Sequence, residues 1–282
     1  MSLTVRLQEF ATFLLRVLPL KLADRIAILI GLFCCFKLKR RREYIIKNLC
    51  YIFAGELSRQ EFCRLTKNTF KNFALCMVDF LRLGFIKKEE IIRDVKAVNL
   101  ENLNRALSYK KGCVLLTLHI GNWDYAGAYL SAMGFPMIAL VEETEFEMFR
   151  LYTRHRERTG LKTYPVSRTG YAFIDMMKNN RIMAVLADRD ITKKGSLVNF
   201  FTGKRRIPQG LGEFVVKRKI PVVFAYMVLM VPPGKKRYLG VVEEPVFFTT
   251  PEEFNNYTIS HFEETIKKYP DQWFVFHPEW IE

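Results

Sequence analysis

Histidine is scarce in this chain, and cysteine is arranged sparingly. The four histidines are scattered, and no two of the six cysteines form a C-x-x-C pair. A zinc site or a dithiol redox motif is therefore not expected, and no bound cofactor is implied. Cys34, Cys35, Cys50, Cys63, Cys76 and Cys113 have apolar neighbours and read as reduced core residues of an intracellular protein. No small-residue cleavage site follows a short apolar core, so no cleavable leader is expected. Long apolar runs are also missing. The longest uncharged part of the N-terminal region, residues 26–36, is 11 residues, whereas a membrane-crossing helix needs about 20. Internal repeats and low-complexity tracts are absent.

Acidic residues are in short supply, 29 against 44 basic, which leaves a net charge of +15. Such a surface suits nucleic acid or an anionic membrane. No nucleic-acid-binding motif is present, and 50% hydrophobic residues with 24 Phe favour the membrane. Residues 4–18 have apolar positions at helical spacing, Pro19 breaks them, and a second apolar helix follows to Phe36. The cluster Lys37, Lys39, Arg40, Arg41 and Arg42 comes directly after. An apolar helix beside a basic cluster fits a helix lying in a membrane surface. The expected organisation is a membrane-associating helical segment, 1–42, and a catalytic domain, 43–282.

Beyond this point strands and helices alternate. A capping box at Ser58–Glu61 starts a long helix to Gly84, and a shorter helix covers Leu100–Leu107. Strands are expected at 113–118, 136–141, 161–166 and 181–186, and helices at 124–133, 145–159 and 169–178. A helix from Pro208 to Lys219 follows, then strands at 221–230 and 238–246 that pair antiparallel at one edge, joined by a Pro232-Pro233-Gly234 turn. Thr250-Pro251 opens a final helix to Tyr269. The pattern predicts an α/β fold with a mostly parallel central sheet, helices on both faces and an N-terminal helical hairpin.

The chemistry concentrates in Cys113–Ala128, CVLLTLHIGNWDYAGA. A buried strand delivers His119 to a turn carrying Gly121 and Asn122, with Asp124 five positions after the histidine. In open α/β sheets the carboxyl ends of strands are where ligands bind. An imidazole there takes a proton from a hydroxyl, and a carboxylate on its other nitrogen fixes the tautomer. No serine or cysteine nucleophile sits in the motif, so the activated hydroxyl is expected on the substrate. His155, His261 and His277 do not follow an apolar strand into a glycine turn, and are expected to pack or cap.

The LLTLHIGNWDYAG stretch resembles the H-x4-(D/E) block of the late acyltransferases of lipid A biosynthesis and of the related phosphatidylinositol mannoside acyltransferases. The resemblance runs from Arg42 to His277. It includes Arg42, Asn48 and Leu49 as an Arg-x5-Asn-Leu motif. It also includes Asp188-Arg189-Asp190 at a strand end, followed by Phe200-Phe201, Gly203, Pro208 and Gly210. Gln272–Pro278 resembles the family's closing strand, although Pro278-Glu279 stands where lipid A enzymes usually have Arg-Arg.

The resemblance implies a glycerolphosphate-acyltransferase-like fold and an O-acyltransferase that moves a fatty acyl chain from a thioester to a glycolipid hydroxyl. It places Asp188 with His119 and Asp124 in the catalytic centre, and Glu142, Arg156 and Arg189 among the substrate-binding residues. Gly121 and Asn122 join them, the backbone N–H groups near Gly121 being candidates for an oxyanion hole. Expected partners are an acyl-CoA or acyl carrier protein donor, a glycolipid acceptor and the anionic surface on the cytoplasmic face of the inner membrane, reached peripherally or by a single anchor. Lys204-Arg205-Arg206 fits either phosphate binding or a solvated charge run. Two other readings stay open. One is acylation of glycerol phosphate or a lysophospholipid, although those enzymes carry an Glu-Gly-Thr-Arg-like block where Asp188-Arg189-Asp190 stands. The other is a non-catalytic protein that binds anionic membranes.

Overall fold

The structure is a computed structural model, and it describes residues 3–143, 145–191, 195–230 and 236–281. Its N-terminal part is helical: α1 (Leu3–Val17), α2 (Leu20–Lys37), α3 (Lys39–Phe53), α4 (Arg59–Arg82) and α5 (Lys88–Asp94). The α/β part continues with β1 (Val95–Val98), α6 (Glu101–Ser108), β2 (Cys113–Thr117), α7 (Trp123–Ala132), β3 (Met137–Val141), α8 (Phe146–Glu157) and β4 (Lys162–Pro165). After these come α9 (Thr169–Lys178), β5 (Ile182–Leu186), β6 (Ser196–Phe200), β7 (Gly203–Ile207), α10 (Leu211–Arg218), β8 (Val222–Leu229), β9 (Tyr238–Val242), α11 (Pro251–Lys268) and β10 (Trp280–Ile281).

The main sheet has seven strands in the order β1-β9-β8-β2-β5-β3-β4. Strands β8, β2, β5, β3 and β4 run parallel, and β9 lies antiparallel to β8. The expected pairing of the two strands after α10 is therefore present. It is not at the edge, however, because β1 adds a further strand parallel to β9. The Pro232-Pro233-Gly234 turn lies outside the described residues.

The period of two along each strand separates two cores. In β2, Cys113 and Leu115 face the core shared with α4, α5 and α7, while Val114 and Leu116 face the core shared with α9, α10 and α11. Strand β8 divides the same way, with Val223, Ala225 and Met227 on the first side and Val222, Phe224 and Val228 on the second. All five residues of β2 are buried, as a central parallel strand requires.

The helix α4 starts at the predicted capping box, with Ser58 and Glu61 bonded reciprocally. Both α1 and α2 pack on α4. A buried charge network ties α2 into the fold: Arg237, just before β9, donates to Asp79 on α4, and at 2.7 and 2.8 Å to both carboxylate oxygens of Asp24 on α2. Burial alone would pull the Arg237 guanidinium down, but Asp79 and Asp24 push it up, so the cation stays charged. Among the described residues no helix is long and apolar enough to cross a membrane.

Two sequence expectations change here. Cys50 and Cys63 are exposed, and only Cys35, Cys76 and Cys113 are buried; helical spacing, not neighbour type, decides which face a residue joins. The stretch Gln272–Pro278 is not a sheet strand. Gln272 ends a short 3-10 turn, and the residues after it pass the turn following β2 with one bridge, Trp273 to Ile120. The Arg42, Asn48 and Leu49 motif locks this segment down. Asn48 donates to the Val275 carbonyl at 2.9 Å and accepts from Trp280 Nε1 at 2.7 Å, Leu49 is core, and Arg42 donates to the last carbonyls of α2.

Candidate active site

Strand β2 ends at Thr117, and the chain turns at once toward α7. Gly121 makes this turn possible. Its φ is +54°, and a Cβ there would lie 2.0 Å from the carbonyl oxygen of Met227 on β8, so only glycine lets the two backbones approach. The N–H of Gly121 donates to the Gln272 carbonyl at 2.8 Å, and that of Asn122 to Met227 at 3.1 Å. Asn122 is the N-cap of α7: its Oδ1 accepts from Tyr125 N at 3.0 Å, and its Nδ2 donates to Tyr238 Oη at 2.9 Å and Cys76 O at 3.2 Å. The backbone donors expected to form an oxyanion hole are thus committed to the fold. Neither residue lines the cavity described below, and both act by holding the turn.

His119 stands on this turn, its side chain 18% exposed. Its Nδ1 lies 2.7 Å from Oδ1 of Asp188, which also accepts the His119 backbone N–H at 3.1 Å. Asp188 follows β5, the parallel neighbour of β2, so the sheet register brings the two strand ends together across 69 positions of sequence. Trp273 donates Nε1 to the other carboxylate oxygen, Oδ2, at 2.9 Å. Burial by itself would raise the Asp188 carboxyl; the His119 imidazole, the Trp273 bond and the charge of Arg205 outweigh it and lower it to about 2. An ionised carboxylate only accepts, so Nδ1 donates to Asp188, and in the neutral imidazole Nε2 is the nitrogen that can accept a proton.

Asp124 does not hold the imidazole. Its carboxylate, on the first turn of α7, takes the guanidinium of Arg156 from α8, with Nε to Oδ1 at 2.6 Å and Nη2 to Oδ2 at 3.4 Å. The expectation that Asp124 clamps His119 is therefore corrected. Five residues separate a strand end from a helix turn, and the capped turn carries Asp124 toward α8 rather than back over the imidazole. Arg156 is partly buried, its side chain 17% exposed where it lines the site. Desolvation would lower its pKa, but Asp124 more than compensates and the guanidinium stays charged.

A cavity of about 710 Å³ opens beside these groups, and His119, Asp124, Glu142, Arg156 and Arg189 all line it. It runs from the carboxyl ends of β2, β3 and β5 along the sheet face beneath α7. The floor is made of small residues: Ala139 and Ala184 are register partners on β3 and β5, and Ala97 and Gly240 are register partners on β1 and β9. Leu130, Phe149 and Phe173 are among its apolar walls. At the mouth Arg189 bonds Glu279 at 3.0 Å and reaches Glu142 at 4.0 Å.

The other histidines divide. His155 packs against Phe80 and Gly84, its pKa pulled down to about 4 by burial and by Arg154, Arg158 and Arg156. His261 pairs with Glu243 at 3.0 Å. His277, expected to pack or cap, lines the cavity instead. Trp273 was not singled out from sequence as part of the site, because nothing local marks a C-terminal indole as the partner of a carboxylate 85 residues earlier. Among the described residues no group of three or more His, Cys, Asp or Glu side chains is placed to hold a metal ion.

An α/β sheet that presents a histidine–aspartate pair at its strand ends, beside a largely apolar cavity under a helix, is the arrangement of an acyltransferase-type site. The family description "bacterial lipid A biosynthesis acyltransferase" matches residues 3–282, and the chain belongs to that family. It is 25% identical over 213 residues to the phosphatidylinositol mannoside acyltransferase of Mycobacterium tuberculosis, covering 72% of this chain and 66% of that protein, just under two thirds. It is 26% identical over 217 residues to the protein of the same name from Mycolicibacterium smegmatis, covering 74% of this chain and 67% of that one. It is also 24% identical over 217 residues to a lipid A biosynthesis acyltransferase of Haemophilus influenzae, covering 76% of this chain and 68% of that one.

Proposed function

We propose that the protein transfers a fatty acyl chain from an acyl thioester to a hydroxyl of a glycolipid, with an acceptor of the phosphatidylinositol mannoside or lipid A kind. The observation that carries this reading is the His119–Asp188 pair at 2.7 Å, set beside a largely apolar cavity of about 710 Å³. Nε2 of His119 accepts the proton of the acceptor hydroxyl as its oxygen attacks the thioester carbonyl. Asp188 stabilises the imidazolium that forms. The tetrahedral intermediate collapses, the carbon–sulfur bond breaks and the ester remains; the imidazolium returns its proton to the departing thiolate. With the backbone donors near Gly121 engaged, Arg156 is the residue assigned to the oxyanion. The acyl chain lies along the small-residue floor under α7. Glu142 and Arg189 at the mouth face the polar part of a substrate. The donor is acyl-CoA or acyl carrier protein.

Membrane seating fits the N-terminal helices. Leu3, Leu7, Phe10 and Phe13 on α1, and Leu29 and Phe33 on α2, are each more than half exposed. The basic cluster 37–42 follows on α2 and α3. An apolar face of this size beside lysine and arginine is the pattern of a helix lying in an anionic interface. On this reading the protein works at the cytoplasmic face of the inner membrane. Purified protein is to be incubated with acyl-CoA or acyl carrier protein donors and a glycolipid extract, and the lipids weighed by mass spectrometry. A mass increase of one acyl chain on a glycolipid is expected. Acylation of glycerol phosphate or lysophospholipid alone would overturn the reading.

A further inference from the structure

The run Lys204-Arg205-Arg206 divides in the structure. Strand β7 alternates, so Lys204 and Arg206 face solvent while Arg205 is only 1% exposed. Its guanidinium carbon lies 4.8 Å from the ring centroid of Trp273, 5.2 Å from that of Trp280 and 5.4 Å from that of Phe200. Among the described residues none of its three side-chain nitrogens has a hydrogen-bond partner. Glu279 Oε2 approaches Nη2 to 3.9 Å. The aromatic faces attract the cation, but a buried guanidinium without hydrogen bonds is still costly. Such a group calls for a physical reason beyond packing.

The reason lies in its neighbours. Trp273, the ring closest to the guanidinium of the three, donates Nε1 to Asp188 at 2.9 Å, and Asp188 holds His119 at 2.7 Å. Resting on the acyltransferase reading above, we propose that Arg205 is a positioning residue for the Asp188–His119 pair. It clamps the indole of Trp273 in its bond to the carboxylate and supplies a positive charge to that carboxylate. Arg205 is not among the residues that line the cavity. The charged groups that face this cluster are His119 from the turn after β2, Asp188 and Arg189 after β5, and Glu279 before β10. Burial pulls the Arg205 pKa down to about 10 while Asp188 and Glu279 oppose the drop, so the cation persists at neutral pH. The β6–β7 hairpin then has a role in the site: it carries this charge beneath the Trp273 ring.

The test compares wild type with Arg205→Met, Arg205→Lys and Trp273→Phe, by NMR titration of the imidazole in the folded proteins and by the pH profile of acyl transfer. Removing a nearby cation makes the coupled pair take up its proton more readily. Arg205→Met is therefore expected to move the titration midpoint and the acid limb of kcat/KM upward by about one pH unit. Arg205→Lys keeps the charge and is expected to stay within a few tenths of wild type. Trp273→Phe keeps the ring and removes the donor, and is expected to move both readouts in the same direction as Arg205→Met. Should Arg205→Met fail to fold, Trp273→Phe carries the test. A folded Arg205→Met or Trp273→Phe protein whose imidazole titrates as in wild type overturns the proposal. The NMR midpoint does not depend on turnover. A shift in midpoint from a protein that transfers no acyl chain therefore defeats the acyltransferase reading and leaves the positioning role standing.

Discussion

The carboxylate of Asp124 meets the guanidinium of Arg156 side-on, Nε to Oδ1 at 2.6 Å and Nη2 to Oδ2 at 3.4 Å, and so ties the first turn of α7 to α8 across the cavity. The acid of the H-x4-D motif thus fixes a cation, while the histidine takes its own partner from the end of another strand. Asp188→Asn and Asp124→Asn should differ accordingly. The first keeps the shape but loses the anion that sets the imidazole tautomer, and kcat is expected to fall by about 10³-fold or more, as does His119→Ala. The second leaves the imidazole pair intact and loosens Arg156, so it should leave the imidazole titration near wild type while transfer falls. Identical imidazole titrations in the two variants would contradict the pairing.

Arg156→Lys should not rescue what Arg156→Ala loses. A side-on bidentate contact needs the planar fork, and an ammonium offers one point of charge. Transfer by the lysine variant is expected to be at least about tenfold below wild type. Wild-type rates in Arg156→Lys would show that charge alone is required there.

Acid stability provides a separate check. The folded-state pKa of Asp188 is depressed to about 2, below the ordinary carboxylate value of about 3.9. The sign follows directly: an acid with a lowered pKa stabilises the fold above its unfolded value, and that contribution is lost as pH falls toward the folded value. Asp188→Asn removes the group. The stability gap between wild type and Asp188→Asn in denaturant unfolding should therefore narrow as pH falls below about 4. A gap that widens toward low pH would reverse the assignment.

The small-residue floor sets the room for the acyl chain. Ala184 and Ala139 pair in register and both line the cavity. Ala184→Leu fills that space and should shift preference toward shorter chains. Each methylene that loses its place costs about 0.8 kcal/mol, roughly a fourfold drop in kcat/KM per carbon. Competition assays with donors of graded length measure this, and an unchanged profile would place the chain elsewhere.

Membrane seating is best tested by substitution, because Asp24 is bonded to buried Arg237 and a deletion of residues 1–42 would disrupt the fold itself. Leu29 and Phe33 are 67% and 60% exposed. Replacing both with Glu removes about 1.5–3 kcal/mol of burial per side chain. Cosedimentation with anionic vesicles should fall by at least tenfold while the melting temperature holds. Sedimentation equal to wild type would place the contact elsewhere.

Most of the framework was legible along the chain. The strand before His119, the capping box at Ser58, the alternation of helices and strands and the strand-end position of Asp188 are all local patterns, and local periodicity is what sequence displays. The β6–β7 hairpin is not legible because Lys204-Arg205-Arg206, read as phosphate-binding or as solvated charge, carries no strand signal. Strand β1 was missed because its four residues follow a short helix with little contrast. The inward turn of Arg205 depends on alternation within a strand whose register is set by its pairing with β6 and β10.

By itself the sequence determined which chemical groups are present and that a buried strand delivers an imidazole to a glycine turn. Gly121 is required there because any Cβ would meet the Met227 carbonyl. Only the tertiary structure decided which carboxylate holds that imidazole. Adjacent parallel strands place His119 and Asp188 side by side across 69 positions, while a capped helix turn carries Asp124 away to Arg156. Partners in a sheet are chosen by strand order and register, and neither is written in the spacing of a single motif.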